Sequence, residues 1–161
     1  MKKNIIALCI FAFGCSEDNP IPKAGEWAYA NLNYTPNGCN FSAPENEYPF
    51  KIVVVDRETL TFQYEDGEQT CSLSFGEYDC GTTETEVDLS PETGSYVVIT
   101  ETTTINGSFS DELTGTMTNI IGLSCEGEDC DNISVGNTED SAEKVSLPCE
   151  STRSADIGWV E

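Results

Sequence analysis

The chain has 161 residues, eight cysteines, no histidine, and 29 acids against seven bases, for a formal charge of −22. Without histidine there can be no Ser-His-Asp triad, no Cys-His pair and no imidazole ligand for zinc. So acidic a chain also lacks the clustered Lys and Arg with which nucleic-acid binders displace counterions, so neither nucleic acid nor an anionic lipid surface is an expected partner.

Residues 1–15, MKKNIIALCIFAFGC, open the chain with an export pattern. Lys2 and Lys3 form a positive n-region, residues 5–13 are an uncharged apolar run, and Gly14 supplies the small residue a signal peptidase requires. A run of this length is about half of the roughly 20 residues that span a bilayer core, which argues against a membrane helix. Ala12-Phe13-Gly14-Cys15 resembles the lipobox of bacterial lipoproteins, in which the cysteine thiol takes a diacylglyceryl group and becomes the new N-terminus. The resemblance implies a signal peptide over 1–14 and lipidation at Cys15. With Ser16 next, it also implies outer-membrane residence, facing the periplasm or the cell surface. Loss of Lys2 and Lys3 with the signal would take the charge from −22 to −24. Residues 16–24, SEDNPIPKA, contain two prolines and adjacent acids, so 15–24 is expected to be an extended, solvated tether.

Residues 25–161 are of a length that suits one domain. Six cysteines remain there: Cys39, Cys71, Cys80, Cys125, Cys130 and Cys149. An even set in an oxidising compartment reads as three disulfides, with 15 connectivities open to it. The preferred pairs are Cys125 with Cys130, which closes a short local loop, then Cys71 with Cys80 and Cys39 with Cys149. No C-x2-C pair begins a zinc site, and no metal or cofactor is expected.

Short apolar runs separated by turn residues, with no long helical period, predict an all-β fold. Residues 26–34 alternate in part and stop at a Thr35-Pro36-Asn37-Gly38 turn, and a polar loop follows over 39–49. Residues 50–56, FKIVVVD, are apolar on both faces and predict a strand covered on both sides. Asp66-Gly67 predicts a two-residue hairpin turn that pairs Phe62 with Cys71 and Leu60 with Leu73, and sets Glu65 against Glu68. Leu60, Phe62, Tyr64, Cys71, Leu73 and Phe75 would then share one face. A strand is expected over 84–89 and a turn over 90–94. Of two competing turns further on, face consistency favours a loop at 110–112 over Asn106-Gly107. It pairs Phe109 with Leu113, Gly107 with Gly115 and Ile105 with Met117, and facing glycines mark a close backbone approach. Val145, Leu147, Ile157, Trp159 and Val160 suggest that the C-terminus returns to the body.

About eight antiparallel strands in hairpin order predict an up-and-down β-barrel or a sandwich, stabilised by disulfides. Gly25-Glu26-Trp27 at the opening of the first strand resembles the G-x-W of lipocalins, where the Trp plugs one end of the barrel. The resemblance implies a late Arg over that Trp, a place Arg153 could fill. Glu126, Glu128, Asp129 and Asp131 crowd one loop and could hold Ca²⁺, but lack the spacing of a calcium loop. The expected function is a lipid-anchored, non-catalytic binding module whose partner is a protein or an apolar small molecule. A purely structural envelope protein and a carboxylate-dependent hydrolase are the alternatives.

Overall fold

A computed structural model of the chain describes residues 20–35, 39, 49–54, 56–65, 67–128, 130–132 and 147–161. Eight antiparallel strands close into a barrel in sequence order: β1 Gly25–Thr35, β2 Phe50–Val54, β3 Thr59–Tyr64, β4 Gly67–Ser74, β5 Glu77–Asp88, β6 Val97–Phe109, β7 Thr114–Gly127 and β8 Cys149–Trp159. The C-terminus does return to the body, because β8 pairs with both β7 and β1 and so leaves the sheet no open edge. Val145 lies outside the described residues. The barrel has two rims. The proximal rim carries the entry to β1, the β2–β3, β4–β5 and β6–β7 turns and the C-terminus. The distal rim carries the other connections, including α1, a single turn of helix at Ser90–Thr93 capped by left-handed Gly94.

Alternation fills the interior. Trp27, Phe50, Ile52, Leu60, Phe62, Cys71, Leu73, Tyr78, Ile105, Phe109, Met117 and Ile157 form one buried cluster. Its rings meet at centroid distances of 5.1–5.6 Å through Trp27–Phe109, Phe109–Tyr78, Tyr78–Phe62 and Phe62–Phe50, the range in which tilted aromatic pairs attract. Burial keeps the Tyr78 phenol protonated far beyond the usual range, and its hydroxyl donates to the Thr116 carbonyl at 2.9 Å.

Both hairpins keep the expected faces and change their register. Phe62 faces Gln69 and Leu60 faces Cys71, so the β3–β4 pairing is two residues from the expected one and Gln63, not Glu65, opposes Glu68. Gln63 Nε2 donates to Glu68 there at 3.5 Å, which replaces the like-charge pair with a weak attraction. Phe75 leaves the shared face. It sits in the β4–β5 turn with a φ of 52° and is 73% exposed. Between β6 and β7 the turn lies at 110–113 and Asn106-Gly107 is paired within β6, but Phe109 faces Gly115 and Gly107 faces Met117. The close approach persists without facing glycines: a Cβ on Gly107 would overlap the Thr116 carbonyl and the Tyr78 ring. Asp111 holds this turn, accepting from the Leu113 and Thr114 N–H groups at 2.7 and 2.8 Å.

Strand β2 is covered on one side only. Phe50 and Ile52 are buried, whereas Lys51 is exposed and Val53 is 40% exposed, because a single closed sheet has one inner face and its outer face meets water. Strand β5 also starts earlier than residue 84, since the Thr- and Glu-rich stretch from Glu77 onward pairs with β6 across a bulge between Asp79 and Thr82.

All three preferred cysteine pairs are bonded: Cys39–Cys149, Cys71–Cys80 and Cys125–Cys130. The first ties the chain beyond β1 to the start of β8 at the distal rim. The second links neighbouring strands β4 and β5.

Candidate functional site

The two rims differ in chemistry. At the proximal rim the end of the expected tether is packed instead of solvated. Pro22 is buried, the Lys23 N–H donates to the Glu112 carbonyl at 2.7 Å, and the Trp27 indole donates to the Lys23 carbonyl at 2.9 Å. The Lys23 ammonium lies 3.3 Å from the Trp159 ring centroid, at cation–π range. Trp159 N–H donates to Leu113 O, and Val160 N–H to Glu26 O. Residues 20–24 thus close this end of the barrel, with Trp27 fully buried behind them. Cys15 and the rest of the export pattern lie outside the described residues.

Arg153 is not over Trp27. Its guanidinium carbon lies 5.3 Å from the Tyr29 ring centroid and 6.0 Å from that of Tyr34, toward the distal rim. Register explains the placement. Arg153 stands opposite Asn119 on one side and opposite Tyr34 on the other, on the inward face that Ala155 and Ile157 share further down β8. A bulge in β1 between Ala30 and Asn33 makes this possible. Asn31 takes a φ of 50° there and donates to Asp156 at 2.7 Å. The bulge shifts the alternation by one residue, so that Tyr34 faces inward beyond Trp27 and Tyr29. The broken alternation of Asn31-Leu32-Asn33 was its only sequence signal.

A polar tier therefore caps the ring-filled half of the barrel. It comprises Arg153, Tyr29, Tyr34 and Asn119, with buried Ser151 nearby on β8. The Asn119 side-chain oxygen is buried without a hydrogen-bond partner, an arrangement that costs free energy unless a ligand or partner supplies a donor. The tier combines a fixed cation, two ring faces and an amide. It offers binding chemistry, but no nucleophile paired with a base.

The acidic residues considered for calcium lie at and beyond the end of β7. Glu126 and Glu128 are exposed, as is Asp131, and Asp129 lies outside the described residues. Among the described residues no group of three His, Cys, Asp or Glu side chains could hold a metal ion, and no helix is long and apolar enough to cross a membrane. Grooves also mark the outer wall. One of about 410 Å³ holds the exposed Lys51–Glu26 pair at 4.0 Å, a contact worth little in water. No protein-family model, curated protein or solved structure matches the chain.

Proposed function

We propose that the chain is a lipid-anchored, non-catalytic binding module of a bacterial outer membrane, held through Cys15 and facing the periplasm or cell surface. The reading rests on the Ala12-Phe13-Gly14-Cys15 motif, and on an anchor that meets the barrel at its proximal rim. The polar tier at the opposite rim then points away from the membrane. The Gly25-Glu26-Trp27 opening supports a lipocalin-like use of the barrel, with its ligand end at the distal rim. The observation that carries the binding role is the Asn119 oxygen left unpaired beside Arg153, whose guanidinium lies near two tyrosine rings. Rings fill the proximal half, so a ligand reaches only the distal tier. A protein side chain or small molecule bearing a polar group fits it better than a wholly apolar one.

Two measurements test this reading. Cys15→Ala should leave an unprocessed or soluble product, and unchanged membrane pelleting would refute the anchor. Native mass spectrometry of protein isolated from envelopes should find a bound species that is lost in the Arg153→Gln/Asn119→Ala variant. A species retained by that variant, or none at all, would refute the binding role.

A further inference from the structure

Seven large apolar side chains are exposed among the described residues, and they are not scattered evenly. Ile21, Phe75, Leu113 and Val160 all belong to the proximal rim, from the entry segment, the β4–β5 turn, the β6–β7 turn and the C-terminus respectively. Single exposed apolar residues are ordinary; a group at one end of a barrel is a surface. Phe75 stands out within it. The two residues between paired Ser74 and Glu77 have φ of 52° and 78°, as in a type I′ turn, where Asn or Gly is the comfortable first residue. A phenylalanine there strains the backbone and leaves its ring in solvent, so it serves neither the turn nor the core.

The chain leads from this rim straight to the anchor. Pro20 packs against Gly76, the neighbour of Phe75, and only five residue steps separate it from Cys15. Fully extended, that segment spans at most about 18 Å. We propose that the proximal rim is a membrane-docking surface, on which Phe75, Leu113, Ile21 and Val160 enter the headgroup boundary of the bilayer that holds the lipidated Cys15. The inference rests on the anchoring reading above and adds an orientation to it. The tether keeps the rim at high effective concentration against the bilayer, so weak insertion suffices. Asp56, Glu58, Glu77, Asp111, Glu112 and Glu161 outnumber Lys23 and Arg57 at the rim, so the surface it suits is one of low net charge, and anionic lipid repels it.

The test uses the full chain, purified from membranes and reconstituted into phosphatidylcholine vesicles. Mass spectrometry of the N-terminal peptide reads the acylation of Cys15 separately. If Cys15 is unacylated, coupling its thiol to a maleimide phospholipid lets docking be read regardless of how the cell anchors the chain. In a Phe75→Trp variant the added indole should lose about half its emission to lipids brominated at shallow acyl positions, the depth interfacial side chains reach. Substituting Leu113→Glu and Ile21→Glu in that background should abolish the loss, as should vesicles rich in anionic lipid. Val87→Trp, on the wall toward the distal rim, should stay unquenched. An unquenched residue 75 in anchored, folded protein would overturn the proposal, and equal quenching at 75 and 87 would overturn the orientation.

Discussion

Replacing Phe75 with Asn should stabilise the protein, although it removes a large apolar side chain. With its φ of 52°, Phe75 holds a left-handed conformation, which costs a residue with a Cβ roughly 1–2 kcal/mol and costs Asn less, through local hydrogen bonding. The ring is 73% exposed, so about a quarter of it is buried. A fully buried Phe side chain contributes about 1.5–3 kcal/mol, and a quarter of that is roughly 0.4–0.7 kcal/mol. The difference favours Phe75→Asn by about 0.5–1 kcal/mol, or roughly 1–4 °C in Tm for a domain of this size. Phe75→Ala is the control, because it loses the same ring and keeps the left-handed strain; it should destabilise by about 0.5 kcal/mol. Urea unfolding of the non-reduced protein reads both variants. Equal stability of the two, or a loss on Phe75→Asn, would refute the conformational reasoning. If the rim docks on membranes, the stabilised Asn variant should also dock less well, a trade of stability against function.

Gly107→Ala should cost at least roughly 3 kcal/mol, the upper end for overpacking, because the new methyl meets the Thr116 carbonyl, which as backbone cannot move aside; an unchanged urea midpoint would contradict it. Removing Cys39–Cys149 as a double alanine variant should destabilise far more than removing Cys125–Cys130. The sequence separations of 110 and 5 residues correspond to about 4–5 and roughly 2 kcal/mol of loop-closure entropy, and non-reducing peptide mapping checks both pairs first. Hydrogen bonds from the Leu113 N–H, then from the Thr114 hydroxyl and N–H, hold the exposed Asp111 carboxyl below its ordinary value of 3.8. Its contribution is therefore present above about pH 4 and lost as pH falls through its lower folded value, so Asp111→Asn should flatten the acid limb of the stability profile below pH 4. An unchanged acid limb would remove Asp111 from the account.

Much of the fold is local and can be read along the chain. The inward faces of β3 and β4, a turn beginning at Ser110 in preference to Asn106-Gly107 (expected over 110–112, observed over 110–113), the Cys125–Cys130 loop and the returning C-terminus all follow from alternation, spacing or composition. Both hairpin registers differ from the expected ones by two residues, and the reason is general. A period-two pattern is unchanged by a slip of two, so alternation selects a face but not a partner. Only the full circuit of eight strands, with β8 meeting β1, selects among registers that keep the same face. Closure also decided that β2 has a wet side. The residues of greatest functional interest lay beyond local reading for the same reason. Arg153 reaches Tyr29 and Tyr34 through a bulge that shifts β1 by one residue, Lys23 rather than Arg153 supplies the cation at the proximal end, and residues 20–24 pack because the Lys23 N–H finds the Glu112 carbonyl across the rim. Composition, period and turn chemistry are properties of neighbours in sequence. The rims are made of residues from up to five different segments, and only the closed sheet brings those together.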